Sequence, residues 1–223
     1  MESIRARLIS RRQLARDTFE ITLALPEILS FTPGQYIGLT IPTLMVSDPH
    51  AKRRDLSIVS PAGSKNITLA FRTSNSPFKQ ALLSGSPELM IHGPHGIFTL
   101  PTEINTSITF IAGGIGLTPF LSMISSGLST PITLLAVDST AERMAYADEL
   151  DKLDTSQTTI KHRVGRINTL AELRGEIPIE SSGVFFISGP PSFTSHIRSL
   201  LREAGVSPFS IYMEEFTGYG TID

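Results

Sequence analysis

The pattern of apolar residues changes at Pro101, and this change limits most strongly the fold that the chain can adopt. Before Pro101, six short apolar or alternating segments are separated by turn residues such as Pro33-Gly34 and Pro61-Ala62-Gly63. Short strands with turn signals at this spacing are typical of a small antiparallel barrel. After Pro101, apolar strands alternate with helical stretches, which predicts a parallel sheet with covered faces.

The predicted fold is a six-stranded antiparallel Greek-key β-barrel over residues 1–101, followed by a Rossmann-like parallel-sheet α/β domain over residues 106–223. The barrel strands are predicted at residues 6–11, 19–25, 35–41, 54–60, 67–72 and 88–93, with one short helix near 77–83. The later strands are predicted at residues 107–114, 131–137, 159–164, 184–188 and 209–215. Helices are predicted from about residue 118, over 141–153 and over 191–204.

The charge balance and the absence of cysteine exclude several functions. The 19 basic and 21 acidic side chains give a net charge of −2, which argues against a dedicated nucleic-acid binder. With no cysteine, the chain cannot form disulfides, bind an iron–sulfur cluster by itself or use a catalytic thiol. The five histidines show no metal-ligand spacing, so no metal site is predicted.

The basic side chains are concentrated in the first half. Residues 1–103 hold 11 basic and 8 acidic side chains, whereas residues 104–223 hold 8 and 13. Five arginines fall within the first 16 residues. They form either a solvated first strand or a patch that steers an acidic partner.

Two segments bear on membranes. Residues 104–137 contain no Asp, Glu, Lys or Arg, but glycines and prolines interrupt the stretch, so we predict strand, turn and helix and no membrane span. The N-terminal segment lacks the apolar region of a signal peptide. We therefore expect a cytoplasmic protein.

Two predicted strands end in turns suited to a nucleotide. The first runs into Gly113-Gly114-Ile115-Gly116, followed by a helix start at Thr118-Pro119. Glycines let a backbone approach a pyrophosphate, and a helix N-terminus attracts it; the alternative is a turn that needs glycine only for packing. The second turn, Ser188-Gly189-Pro190-Pro191, is either part of the same cleft or an ordinary strand–helix connection.

Three further positions have a binding and a structural interpretation. Asp138 ends a strand, where a carboxylate either binds ribose hydroxyls or caps a helix. Arg54, in the cluster Lys52-Arg53-Arg54, suits a phosphate but such clusters are also often solvated. Ser76, followed by Pro77, predicts a capped helix start that either binds an anion or binds nothing.

Taken in order, these motifs resemble those of the ferredoxin–NAD(P) reductase superfamily, in which a flavin-binding barrel precedes a nicotinamide-binding domain. The resemblance extends from Phe31 to Tyr219. Its motifs are Pro33-Gly34-Gln35, Arg54-x-Leu56-Ser57, Ser76-Pro77-Phe78-Lys79, Gly93-Pro94-His95-Gly96-Ile97-Phe98, Gly114-Ile115-Gly116-Leu117-Thr118-Pro119, Ser188-Gly189-Pro190-Pro191 and Glu214-Glu215-Phe216-Thr217-Gly218-Tyr219.

The resemblance implies an oxidoreductase that passes hydride from NAD(P)H to FAD and then electrons to an acceptor. It implies FAD binding by Arg54, Leu56, Ser57, Ile58, Ser76, Phe78 and Lys79, with Ser57 near flavin N5. It implies nucleotide binding by Gly114, Gly116, Thr118, Pro119, Gly189 and Pro190, with Asp138 added by its position. Catalytic positions are Ser57, Ser188, Glu215 and Phe216; Glu215 is assigned a proton relay and Phe216 shields the ring, although adjacent Glu214 leaves the choice of carboxylate open.

Three departures from the family pattern affect the prediction. Leu56 stands where the family usually has an aromatic that packs on the flavin, which predicts weaker flavin retention. Ser188 replaces a cysteine often found beside the nicotinamide. The run Asp138-Ser139-Thr140 lacks a cation that relatives carry, which favours NADH over NADPH.

Two other functions remain open, and so does the acceptor. The first alternative is a flavin reductase that uses flavin as a diffusible substrate, and the second is a non-catalytic nucleotide-binding subunit of a larger redox complex. The expected acceptor is an acidic ferredoxin or flavodoxin, which the positive barrel half suits, or a separate membrane haem protein.

Overall fold

The computed structural model describes residues 3–85, 87–101, 106–128 and 130–217. The chain folds into two compact units. Met1–Leu100 and Thr118–Gly127 form the first, and Pro101–Leu117 and Leu128–Asp223 form the second. The predicted domain boundary between residues 101 and 106 stays a prediction, and residues 102–105 lie outside the described part of the chain.

The first unit is built on a six-stranded antiparallel sheet. Its elements are β1 (Ile4–Ala15), β2 (Thr18–Ala24), β3 (Tyr36–Thr40), β4 (Arg53–Ser57), β5 (Asn66–Arg72), α1 (Pro77–Ser84) and β6 (Leu89–His95). The strand order is β4-β3-β6-β1-β2-β5. A β-bridge between Ile58 and Leu69 joins the chain after β4 to β5, so the two edges of the sheet meet and close the barrel.

Alternating apolar residues fill the barrel. Ile37 and Leu39 on β3, for example, are both fully buried, as are Ile21 and Leu23 on β2. Since successive strand residues point to opposite faces, this period of two places one apolar face inside. Helix α1 adds Phe78 to the same core.

The second unit contains a five-stranded parallel sheet in the order β11-β10-β7-β8-β9. Its elements are β7 (Ile108–Gly113), β8 (Ile132–Asp138), α3 (Ala147–Leu153), β9 (Thr158–Val164), α4 (Leu170–Glu176), β10 (Val184–Gly189), α5 (Pro191–Glu203) and β11 (Ile211–Glu215). Helices α4 and α5 cover one sheet face with Leu173, Ile197 and Leu201 against Ile111 and Ile187.

Helix α2 (Thr118–Ser125) follows the glycine turn but groups with the first unit. The Ser122 hydroxyl donates to the Ser60 carbonyl oxygen at 2.8 Å, and the Phe120 ring lies 5.8 Å from that of Phe98. The residues from Thr118 to Ile124 are all buried, which explains why this uncharged helix is stable in the folded chain.

The predicted architecture is confirmed, with two local corrections. The single helical stretch predicted over 141–153 is wrong: a 3-10 helix at Ala141–Arg143 and α3 are separated by Tyr146, whose φ of 61° is left-handed and interrupts the helix. Helix α4 is absent from the predicted elements, although Thr169 and Glu172 form a recognisable helix start.

Candidate functional site

The glycine turn after β7 has one glycine with an accessible backbone and one packed against protein. Gly114 is half-buried and has a φ of 57°, in the left-handed region that favours glycine. Gly116 is buried, and a Cβ there would collide with the backbone oxygen of Ser188. The packing interpretation therefore accounts for Gly116, whereas Gly114 keeps its backbone available to a ligand. Thr118 and Pro119 are buried.

The end of β10 holds an unsatisfied polar group. The Ser188 side chain is fully buried, and its Oγ has no hydrogen-bond partner among the described residues. Gly189 follows with a φ of 151°, packed against Gly113, and its carbonyl accepts from the Phe216 amide at 2.9 Å. Because buried hydroxyls almost always have partners, Ser188 is the position in this turn most in need of a ligand.

Strand β11 assigns its two adjacent carboxylates to different faces. Ser188 and Glu214 are register partners, and Phe186 and Tyr212 stack with ring centroids 4.7 Å apart, so these side chains share a face. Glu215 lies on the opposite face, where its Oε1 accepts from the Thr194 hydroxyl at 3.0 Å.

Glu214 therefore differs from Glu215 in both neighbours and ionisation. Burial raises the pKa of the Glu214 carboxyl. The role assigned to Glu215 stays a prediction, but the geometry favours Glu214, which is beside the unpartnered hydroxyl. Phe216 is half-buried after β11; Gly218 and Tyr219 lie outside the described residues.

Asp138 ends β8 in a buried position. Its Oδ1 accepts from the Ser139 amide at 2.7 Å, and only 7% of the residue is exposed. The N-cap position of the following 3-10 helix is occupied by Thr140, so the interpretation of Asp138 as a helix cap is wrong. Pro190 is the exposed residue that directly precedes α5.

Arg54 and the start of α1 form one cationic cluster. Arg54 Nη2 donates to the Ser76 hydroxyl at 3.1 Å, and its guanidinium lies 5.5 Å from the Phe78 ring centroid. Burial and, secondarily, the Arg54 charge lower the pKa of Lys79. Ser76 occupies the N-cap position but makes no capping bond, so the predicted side-chain cap is wrong: its hydroxyl is engaged by Arg54.

The end of β4 places Ser57 beside an aromatic that the sequence prediction did not use. Ser57 is 7% exposed and is the register partner of Tyr36, whose ring lies 5.7 Å from that of His95. Leu56 is half-buried and packs against the barrel core, and Ile58 is fully buried there. The Pro33-Gly34-Gln35 motif, directly before Tyr36, is the sequence signal that marks it.

A basic group lies on the same sheet, beside Tyr36. The Arg53 guanidinium covers Gly38, because a Cβ there would collide with it, and Gly38 is the register partner of His92. Burial lowers the pKa of His92, with further contributions from Arg53 and His95. Asp55 pairs with Arg53 at 3.0 Å and offsets part of this charge.

The described residues form neither a cluster of metal ligands nor a helix that could span a membrane. Within residues 3–85, 87–101, 106–128 and 130–217, no cluster of three or more His, Asp or Glu side chains could hold a metal ion. Across that same part of the chain, no helix combines the length and hydropathy needed to cross a membrane.

The two-unit fold described above is shared with solved structures of known proteins. The chain superimposes on the FAD/NAD-binding domain of nitric oxide dioxygenase from Vibrio cholerae with a TM-score of 0.81, at 20% identity, covering 97% of this chain and 99% of that one. The resemblance drawn from the motifs is thus confirmed at the level of the fold, which is ferredoxin reductase-like.

Sequence comparisons agree with the structural one. The chain is 32% identical to methane monooxygenase component C of Methylosinus trichosporium over 148 residues, which cover 63% of this chain and 42% of that protein. It is 25% identical to a flavohemoprotein of Oceanobacillus iheyensis over 85% of this chain and 52% of that protein. The chain thus spans about half the length of the curated relatives it matches. No model of a known protein family matches it.

The residues present fit a flavin dinucleotide and a nicotinamide dinucleotide. Arg54, Lys79 and the N-terminus of α1 supply positive charge for phosphates. Gly114 offers accessible backbone, and the Ser188 hydroxyl has an unused donor and acceptor.

Proposed function

We propose that the chain is a flavin-dependent NAD(P)H oxidoreductase that delivers electrons to a protein acceptor. The observation that carries the proposal is the fully buried, unpartnered Ser188 hydroxyl at the end of a strand packed on the glycine turn. Bound FAD would supply the chemistry, accepting a hydride from NAD(P)H and releasing electrons to the acceptor.

The residues of the chain supply binding and orientation. Arg54, Ser76, Phe78 and Lys79 hold the FAD phosphates by charge and by the dipole of α1. Ser57 would donate a hydrogen bond to the flavin, Leu56 and Tyr36 would lie beside it, and Ile58 packs behind them in the barrel core.

After β7, the Gly114 backbone would bind the dinucleotide phosphates, and the buried Gly116, Thr118 and Pro119 would hold the turn in place behind it. Ser188, Gly189 and Pro190 flank the nicotinamide. Glu214, the register partner of Ser188, would hold or move a proton in place of Glu215, and Phe216 would shield the ring.

We propose NADH as the preferred donor. Asp138 would accept hydrogen bonds from ribose hydroxyls and repel a 2′-phosphate. The nearest cation on the neighbouring strand is already engaged, because Arg163, the register partner of Val137, pairs with Glu176 at 3.0 Å and Glu172 at 3.5 Å.

The proposed acceptor is an acidic electron carrier of the ferredoxin or flavodoxin type, with a separate membrane haem protein as the alternative. The Arg53 guanidinium over Gly38, near Tyr36, supports an acidic partner. We also propose a cytoplasmic location, since reduced nicotinamide cofactors are kept there. The rate of acceptor reduction is expected to fall as ionic strength rises; a rate independent of salt contradicts the acidic partner.

The decisive experiment is reconstitution of the purified chain with FAD. We expect about one FAD bound per chain and NADH-dependent reduction of ferricyanide. If flavin is released on gel filtration yet reduced in turnover, the chain is a flavin reductase, which the partial burial of Leu56 in the barrel core favours as the second candidate. If nucleotide binds without any reduction, the chain is a non-catalytic subunit and the proposal fails.

A further inference from the structure

Gln35 ties together three segments of the first unit. Its side-chain Nε2 donates to the Gly96 carbonyl oxygen at 3.1 Å, and its Oε1 accepts from the Thr32 amide at 2.8 Å. Its backbone carbonyl accepts from the Ile58 amide at 3.0 Å. One residue therefore joins the turn before β3, the end of β4 and the turn formed by residues 93–98.

The residues on each side of Gln35 contact the same 93–98 turn. A Cβ on Gly34 would collide with the Phe98 carbonyl oxygen, so the two backbones touch. A Cβ on Gly96 would lie 3.0 Å from the Tyr36 ring. Three consecutive residues thus pack on one turn, and the Gln35 amide supplies the side-chain hydrogen bond of this contact.

These contacts surround Ser57. The Tyr36 backbone pairs with Ser57, and the next residue, Ile58, donates its amide to Gln35. The backbone that carries the Ser57 side chain is therefore held by the backbones of Gln35 and its neighbour Tyr36. Errors of about 1 Å in such a position cost on the order of a hundredfold in rate, so the support of Ser57 matters as much as Ser57 itself.

From these contacts we infer that Gln35 is a positioning residue for the flavin, acting through Ser57 and the 93–98 turn. This rests on the proposed function, because it concerns the same flavin site. Gln35 aligns the Ser57 hydroxyl and the Tyr36 ring, and its amide is needed both as donor to Gly96 and as acceptor from Thr32.

The test compares Gln35→Glu, which keeps the acceptor but loses the donor, with Gln35→Met, which has similar length and neither function. We expect both to raise the FAD dissociation constant about tenfold and to shift the visible absorption bands of bound FAD. The limiting rate of flavin reduction should fall about tenfold. The apparent dissociation constant for NADH should not change, since the second unit is untouched.

Gln13→Glu is the matched control. Gln13 Nε2 donates to the carbonyl oxygens of Ala15 and Arg16 at 3.1 and 3.2 Å. Its side chain therefore makes the same type of hydrogen bond as Gln35, in the same unit. We expect this variant to keep the wild-type spectrum, FAD affinity and limiting rate. All rates are measured well below each melting temperature, so that unfolding does not contribute.

Two results overturn the inference. One is a wild-type spectrum and limiting rate in both Gln35 variants, and the other is a loss no larger than that of Gln13→Glu. Gln35→Met introduces no charge, so a loss that it shares with Gln35→Glu cannot be caused by a new buried charge. If the wild-type chain itself binds no FAD, the proposed function fails, which is distinguishable from a failure of Gln35 alone.

Discussion

Ser188 and Glu214 lie side by side on neighbouring parallel strands, as register partners on one face of the sheet. Glu215, one residue on, turns away and is bound by the Thr194 hydroxyl. Of the two adjacent carboxylates, only Glu214 therefore stands beside the buried hydroxyl that has no partner among the described residues.

The first prediction separates the two carboxylates. Glu214→Gln is expected to slow reduction of bound flavin by NADH about a hundredfold, because a positioned proton donor or acceptor is lost. Glu215→Gln is the control and should leave the rate within about twofold. Single-turnover stopped-flow measurements decide between them, and equal losses in both variants would contradict the assignment of Glu214.

The second prediction concerns stability and pH. Burial raises the pKa of Glu214, so the folded state favours the neutral carboxyl and loses stability as pH rises through that raised pKa. At neutral pH, Glu214→Gln should therefore melt at a higher temperature than the wild type. The difference should vanish below the pKa of an ordinary glutamate, as followed by thermal melts across pH; a difference that grows on acidification has the wrong sign.

The third prediction tests the cationic cluster. Arg54→Ala should weaken FAD binding by roughly 10–100-fold, the effect of losing charge-assisted hydrogen bonds of about 1.5–3 kcal/mol. Arg54→Lys should recover part of this affinity, since the positive charge remains but the planar guanidinium, which can donate two parallel hydrogen bonds, is lost. Arg53→Ala, which breaks an exposed pair with Asp55, is the control. Fluorescence titration measures all three, and equal affinity for Arg53→Ala and Arg54→Ala would rule out a specific site.

The fourth prediction compares two glycines. Gly116→Ala should destabilise the chain by about 1–3 kcal/mol, because the new Cβ meets the Ser188 backbone, which cannot move aside. Gly175→Ala, in α4 with open space around it, should stabilise by about 0.5–1 kcal/mol. Denaturant unfolding measures both; a tolerated Gly116→Ala would mean that the two turns are not in contact.

The fifth prediction addresses donor choice. Asp138→Ser should lower kcat/KM for NADH about 10–100-fold, because hydrogen bonds to a charged group are lost. The preference for NADH over NADPH should become smaller, because the carboxylate that repels a 2′-phosphate is gone. Ser139→Ala, which keeps the carboxylate and the backbone amide that it accepts from, serves as the control. A wild-type enzyme that prefers NADPH defeats the hypothesis before any variant is made.

The architecture is predictable from the sequence because its signals are periodic and local. Apolar and polar residues alternate over β2 and β3, because only one face of these strands is buried in the barrel. Strands β7 and β10 are continuously apolar, because both faces of the parallel sheet are covered. The glycine turns are visible for the same reason. Helix α4 escapes prediction although Thr169 accepts from the Glu172 amide and Glu172 from the Asn168 amide, which is a helix-start pattern readable from sequence.

The site is less predictable, because it depends on tertiary contacts. Nothing in Glu214-Glu215 says which carboxylate faces Ser188; the register of β11 against β10 decides it. The local sequence predicts a cap at Ser76, but Arg54, distant in sequence, takes its hydroxyl. The motif predicts a ligand contact at Gly116, whereas the approach of β10 is what demands glycine there.

The hydroxyl at Ser188 has a consequence for how the chain tolerates damage. A cysteine in the chain would bring a thiol that maleimides alkylate and that peroxide converts to sulfenic and then irreversible sulfinic acids. With serine at 188 and no cysteine in the chain, neither reagent has a thiol to attack. Oxidation of sulfur in this chain is therefore limited to the six methionines.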